Sequence, residues 1–368
     1  MYLSAEKKRS RTRDAASATP SVAAIEIATP ASHGVSTSQG TPDSQPVAET
    51  NTLTSNTALD LELMADFFLN GTDDLLPNHL DTRDFMFKLA QLATTKAYLM
   101  HEMLAVCGLR RFSEDKSRRE LMTRALHHQS EALRLVQPQL ESFSEDDCLA
   151  LLFFTSQAAL CGLAESAFCD IHDESFDPIG KTLHSFQLSQ GVTTLIMPHW
   201  EVLRQTWAWP AIASQIEAGS DLTPHPQSIP GYTHLRCLAF GLERETDRQA
   251  CLKALDFTLG AISLIQQRED VGMSRRLVSS WPMETDTTFH ELLSERRPVS
   301  LVIIAYYAVL LKIGAGLWWV GSLPEALIEQ VTILLGDEWA EFISWPRSII
   351  QGDASTPAIH SEIAARTV

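Results

Sequence analysis

The sequence is poor in the features that fixed-centre chemistry usually needs. Its six cysteines, Cys107, Cys148, Cys161, Cys169, Cys237 and Cys251, never form a C-x-x-C pair. Their scatter through apolar stretches fits buried free thiols in a reducing compartment better than a disulfide framework. Basic residues are outnumbered, 29 Lys and Arg against 46 Asp and Glu, for a formal net charge of −17. Phosphate binding needs a basic face that releases counterions, so the folded body is not expected to grip nucleic acid directly. No G-x-S-x-G elbow, P-loop or G-x-G-x-x-G is present, and Gly314-x-Gly316 lies in an apolar run rather than after a strand. His290-Glu291 opens like H-E-x-x-H, but Ser294 stands where the second histidine belongs. His128 and Glu131 are spaced to share a helix face, yet adjacent His127 points elsewhere and no further ligand is evident, so they read as polar side chains rather than a metal site. Neither enzyme activity nor a cofactor is expected. Strict two-residue alternation and fixed-period repeats are also missing, which removes strands and solenoids from consideration.

What is present is enough apolar material to fold. The chain has 368 residues, 45% of them hydrophobic, so it can bury one large core or two smaller ones. Met1 to Asp14, MYLSAEKKRSRTRD, lacks the apolar stretch of a secretory signal, and its basic run Lys7, Lys8, Arg9, Arg11 and Arg13 reads as a nuclear localisation signal, as the remnant of a linker, or as a solvated tail. Residues 1–57 are dominated beyond that run by Ser, Thr, Ala and Pro and predict a disordered arm. A helical domain is expected over 58–352, with a flexible tail over 353–368.

Within that domain Asp60 reads as the N-cap of a first helix closed by Asn70-Gly71. A second helix is expected from Thr82 to Cys107 with Gly108 ending it, and a third from Ser113 to Gln137, signalled by Ser117-x-x-Glu120 and halted at Pro138. A fourth runs from Ser144 to Phe168. Asp170 to Gly180 reads as a loop, Lys181 to Trp207 as helical, and Pro210 to Pro230 as rich in loop formers. Tyr232 to Leu242, Thr246 to Gln267 and Asp286 to Leu293 suggest further helices. The predicted class is all-α, a layered array of antiparallel helices.

The last apolar block, Pro298 to Pro346, holds the run Leu301 to Leu311, the pair Trp318 and Trp319, Gly321, an amphipathic stretch from Glu325 to Leu335, then Trp339, Trp345 and Pro346. It resembles the C-terminal end of the fungus-specific regulatory domain carried by zinc binuclear cluster transcription factors of the sterol uptake control type. LELMADFF, YLMHEMLAVCGLRRF, ALHHQSEALRLVQPQL and HSFQLSQGVTTLI are similar, in order, to earlier helices of that domain, so the resemblance covers about the last four-fifths of the chain. The DNA-reading zinc cluster of the family needs two closely spaced cysteine triplets, and this sequence has none.

The resemblance implies a nuclear regulator of a sterol or secondary-metabolite pathway that acts without its own zinc cluster, with cytoplasm as the alternative location. It implies partners as well: a DNA-binding relative or the transcription machinery, a sterol or other apolar small ligand, and a dimer. It also implies a ligand pocket in which Leu301, Ile304, Tyr307 and Leu311 form one wall, Trp318 and Trp319 line it, and Gly321 makes the turn. Aromatic side chains with a polar tip suit such a ligand; taken singly these residues read as ordinary core, and it is the pattern as a whole that points to a pocket. Val299 to Val320 has the length of a membrane span, against which stand two glycines and Lys312, costing about 2.5 to 3.5 kcal/mol at a span centre. The alternative function is a lipid-binding or membrane-associated helical protein with no transcriptional role.

Overall fold

The structure is a computed structural model that describes residues 55–70, 82–168, 176–220, 229–267, 271–314 and 316–352. The chain divides into Met1–Asn51, which lies outside the described residues with the basic run Lys7 to Arg13, and a compact unit, Thr52–Val368. The described residues form fifteen α-helices and no strand, so the fold is all-α. The first half contains α1 (Ser55–Asn70), α2 (Thr82–Thr95), α3 (Ala97–Glu114), α4 (Arg119–Glu141) and α5 (Cys148–Phe168). Next come α6 (Pro178–Ile196), α7 (Trp200–Arg204) and α8 (Trp209–Ser220). The remainder is α9 (Tyr232–Phe240), α10 (Glu245–Gln267), α11 (Val271–Glu284), α12 (Thr287–Ser294), α13 (Pro298–Ile313), α14 (Leu323–Leu335) and α15 (Ala340–Gln351).

Several boundaries differ from the expected ones for physical reasons. Asp60 is no N-cap: α1 starts at Ser55, and the Asp60 carboxylate instead reaches Arg124 of α4 at 2.6 Å. The expected helix from Thr82 to Cys107 breaks at Lys96, which is extended (φ −129, ψ 91). Just before it the hydroxyls of Thr94 and Thr95 donate back to the carbonyls of Gln91 and Leu92, competing with continuation of the helix. The Lys96 ammonium then pairs with Asp147 across the fold. Ser117 does not cap α4, because its hydroxyl donates to Asp115 at 2.6 Å and Glu120 is taken by Arg118. Pro138 and Pro282 do not end their helices; each lies inside the last turn of α4 or α11 and takes away one N–H that a carbonyl four residues earlier would otherwise accept, with little helix left beyond it to disrupt. Much of the expected loop from Pro210 is α8, and α11 was not legible as a helix at all. Asp286 does cap α12, accepting from the Phe289 amide at 2.9 Å.

Gly108 was expected to stop a helix but sits inside α3. A Cβ there would come within 2.9 Å of the Ala125 Cβ and 3.3 Å of the Leu121 carbonyl on α4, so its role is to let two helices approach. Gly191, inside α6, has open space where a Cβ would go. Gly108→Ala is therefore expected to lower stability by about 1–3 kcal/mol through overpacking, whereas Gly191→Ala raises it by about 0.5–1 kcal/mol through helix propensity. Urea unfolding of the two variants checks this, and equal shifts of the same sign would contradict it.

The buried apolar residues form two clusters. One is built from α1 to α5 with Leu203 and Ala211; the other gathers α9 to α15 with parts of α3 and α6. α5 belongs to both: Phe154 packs in the first, Cys161 and Ala164 in the second. A helix shared by two cores must be apolar almost all round, as CLALLFFTSQAALCGLAESAF is. Among the described residues, Glu145–Phe168 is the one segment long and apolar enough to cross a membrane by length and composition, and most of it is buried in the protein. Val299 to Val320, which has the length of a span but reads better as a buried helix, a glycine-containing turn and a second helix folding back, is α13, 16 residues long, followed by a turn and by α14, which packs against it. The α13 residues Val299 to Leu311 are all buried.

Candidate functional site

α13 begins with Pro298 at its first position, where a missing N–H does no harm, and packs against α10, α14 and α15. Its side chains at Leu301, Ile304, Tyr307 and Leu311 are at most 2% exposed, and Trp319 joins them in the same core with Trp318 packed on its margin. Gly321 makes the turn into α14 at φ 45, where a Cβ would lie 3.1 Å from the Ala167 carbonyl of α5. Leu301, Ile304, Tyr307, Leu311 and Trp319 thus belong to one large core with Trp318 packed against it, Gly321 lies apart against α5, and the space around Tyr307 is filled by aromatic rings. Trp281 lies 4.3 Å from it and Phe186 5.6 Å, centroid to centroid.

This aromatic core carries polar groups, of which His290 and Tyr307 were singled out in the sequence and Trp281, Thr258 and Thr285 were not. The Trp281 indole N–H donates to the Thr258 hydroxyl at 2.7 Å. His290, fully inside, pairs its Nε2 with the Thr285 hydroxyl at 2.9 Å, and burial pushes its pKa down to about 4. Its Nδ1 and the Tyr307 hydroxyl have no hydrogen-bond partner among the described residues. Unpaired buried polar atoms are uncommon in native interiors and mark places where a water or a ligand hydroxyl is accommodated.

Open space lies nearer the start of α13. A groove of about 600 Å³ is lined by His234, Cys237, Leu238, Gly241 and Leu242 of the α9 region, Val299 of α13, Trp339 just before α15, and Glu341 and Phe342 of α15. That volume falls within the usual range of small-ligand sites, and its lining is mostly apolar. Cys237 is exposed there, in contrast to buried Cys107, Cys148, Cys161 and Cys251.

A scan against protein-family models finds no match for this chain, and no curated protein matches it.

Two further clusters were missed because their members are far apart in sequence. The first joins Asp60, His101 and His128. His128 Nε2 lies 3.0 Å from Asp60 Oδ1, and its Nδ1 lies 2.8 Å from His101 Nδ1. Burial holds both histidines below the ordinary imidazole range, against the pull of Asp60 on His128 and of Glu131 on His101. Burial works to raise the Asp60 pKa, but hydrogen bonds from Arg124 and His128 outweigh it and leave the carboxyl lowered. Glu131, expected to share a face with His128, is held by Arg134 at 2.7 Å instead. The described residues include no group of three or more His, Cys, Asp or Glu arranged to hold a metal.

The second cluster is Glu102 of α3, Cys161 and Glu165 of α5. Glu102 is fully buried, and neither carboxyl oxygen meets an N–H or O–H donor among the described residues. Burial pushes its pKa up to about 8, the Cys161 thiol being only a weak offsetting donor and Glu165 adding to the rise. Glu165 is itself raised to about 7 by burial, opposed by Lys181.

Proposed function

We propose that this protein is a transcription regulator-like protein whose helical domain senses an apolar small molecule and acts through partner proteins rather than through its own contact with DNA. The observation that carries the reading is the order of elements after residue 298. A fully buried helix, an aromatic pair, a glycine turn, an amphipathic helix and a last tryptophan-containing helix follow one another as α13 to α15. These are the residues whose pattern resembles the fungal regulatory domain, and the family reading rests on that pattern. The charge of −17 supports partner contact over phosphate contact by this helical domain, and the sequence holds no pair of closely spaced cysteine triplets. The space around Tyr307 is filled by Phe186 and Trp281, so the groove beside Val299, Trp339 and Phe342 is where an apolar small molecule would sit. Sterol or secondary-metabolite genes are the target class the resemblance implies, and the nucleus is the location it implies.

The test is the location of a tagged full-length protein compared with one in which Lys7, Lys8, Arg9, Arg11 and Arg13 are all changed to alanine. Nuclear accumulation that depends on the basic run supports the reading, and exclusion of the intact protein from the nucleus sinks it. A second reading, a lipid-binding helical protein with no transcriptional role, is favoured by the apolar groove at Val299, Trp339 and Phe342.

A further inference from the structure

We propose that the groove between α9 and α15 selects small molecules that join an apolar body to one protonated amine, with Glu341 as the counter-charge and Trp339 and Phe342 as the aromatic walls beside it. The proposal rests on the reading of this groove as a small-ligand site and adds the charge of the ligand to it.

Leu238, Leu242 and Val299 account for the apolar body. The charged part of the lining has one sign. Glu341 is its single carboxylate, and no Lys or Arg joins it. The Glu341 side chain is exposed and has no hydrogen-bond or ion-pair partner among the described residues. Cations close to the lining along the chain are engaged elsewhere. Arg236 of α9 pairs with Asp256, its guanidinium lying over the Phe240 ring, and Arg297 pairs with Glu295 at 3.6 Å. Asp337 and Glu338, exposed and equally unpaired among the described residues, precede Trp339, so the field at this end of the groove is negative.

The aromatic rings fit the same charge. Trp339 and Phe342 are three positions apart at the start of α15, with centroids 5.6 Å apart and planes tilted by 47°. Trp345, one turn further on, is instead stacked on Tyr306 of α13. A cation near an aromatic face is attracted by the ring quadrupole, most strongly over Trp. An ammonium can therefore donate an N–H to the Glu341 carboxylate while its carbon substituents lie against the two rings. A carboxylate in that place would meet a like charge, and a hydroxyl would give up both the ion pair and the ring attraction.

Cys237 supplies a readout within the groove. It is exposed, whereas Cys107, Cys148, Cys161 and Cys251 are buried, so its alkylation by iodoacetamide in the full-length protein, followed by peptide mass spectrometry, reports occupancy. The probes are naphthylethylamine, naphthylethanol and naphthylacetate, which share one ring system and differ in charge. Salt of about 0.15 M screens the diffuse field of the chain beyond about 8 Å. The amine is expected to protect Cys237 at a concentration on the order of tenfold lower than the alcohol, and the acetate to protect least. Glu341→Gln is expected to leave protection by the alcohol unchanged and to bring the amine down to it. Glu338→Gln, outside the lining, keeps the amine preference. Should a variant fail to fold, the wild-type comparison of amine with alcohol decides. Equal protection by amine and alcohol, or an amine preference that survives Glu341→Gln, would overturn the proposal and leave the small-ligand reading of the groove standing. Absence of protection by all three probes would overturn both.

Discussion

The Glu102→Gln protein is expected to be more stable than the wild type at about pH 8, and close to it in stability at about pH 4. Glu102 titrates at about 8 in the folded protein against 4.5 for a free carboxyl. Between those values the folded state holds a proton that the unfolded state has released. The stability tied to this group is therefore fully present below about 4.5 and lost as pH rises through about 8. With each pKa unit worth about 1.4 kcal/mol, the loss is on the order of 4 kcal/mol, a large share of a typical folding free energy. Glu165 acts in the same direction with a smaller shift, because Lys181 partly supports its charge. Glutamine at this site never ionises, so its alkaline decline should shrink to the share of Glu165. Urea midpoints at a series of pH values measure the difference between the two proteins, in which the acid response of the histidines cancels. Parallel curves would mean that Glu102 has access to solvent or a counterion.

The second large effect belongs to Trp281. It is fully buried, with its ring against Phe186, Phe289 and Tyr307, so it joins α11 to α6, α12 and α13. Trp281→Ala removes those contacts and leaves a cavity in the second core, at an expected cost of about 3–5 kcal/mol. Trp281→Phe keeps most of the apolar volume and loses the indole bond to Thr258. The Thr258 hydroxyl still donates to the Ala254 carbonyl at 2.6 Å, so the expected cost is only about 1–2 kcal/mol. Equilibrium unfolding with near-ultraviolet circular dichroism distinguishes these outcomes. If alanine costs no more than phenylalanine, the core has collapsed around the gap and Trp281 does not hold the four helices together.

Much of the architecture could be read along the chain where local signals were sufficient. α9, α10 and α12 lie within two residues of their expected limits, and Asp286 caps α12 as an aspartate before an apolar run should. The all-α class followed from helical periodicity that never gave way to alternation. Failures came where a residue's role is decided by a partner far away in sequence. Gly108 carries the local mark of a helix end, but Ala125 on the neighbouring helix decides its place. Asp60 looks like a cap, yet it bonds His128, 68 positions later. Pro282 and the polar residues around it hid α11, since proline is tolerated near a helix end and Trp281 supplies the packing that propensity lacks.

The candidate site divides in the same way. The apolar run from Leu301 to Leu311 was legible as one buried helix, and Tyr307 and Trp319 belong to one core. The rings that surround Tyr307 come from α6 and α11, so neither could be assigned to it from spacing. The groove at Val299 was equally hidden, because it is shaped by α9 and α15 around the start of α13.

The most direct measurement is a chromatin-association profile of the tagged full-length protein, with and without Met1 to Asp14. A nuclear regulator that works through a DNA-binding partner should give discrete promoter peaks that disappear when the basic segment is removed. Uniform absence from chromatin, with the intact protein in the cytoplasm or on membranes, would contradict that function and favour the lipid-binding one.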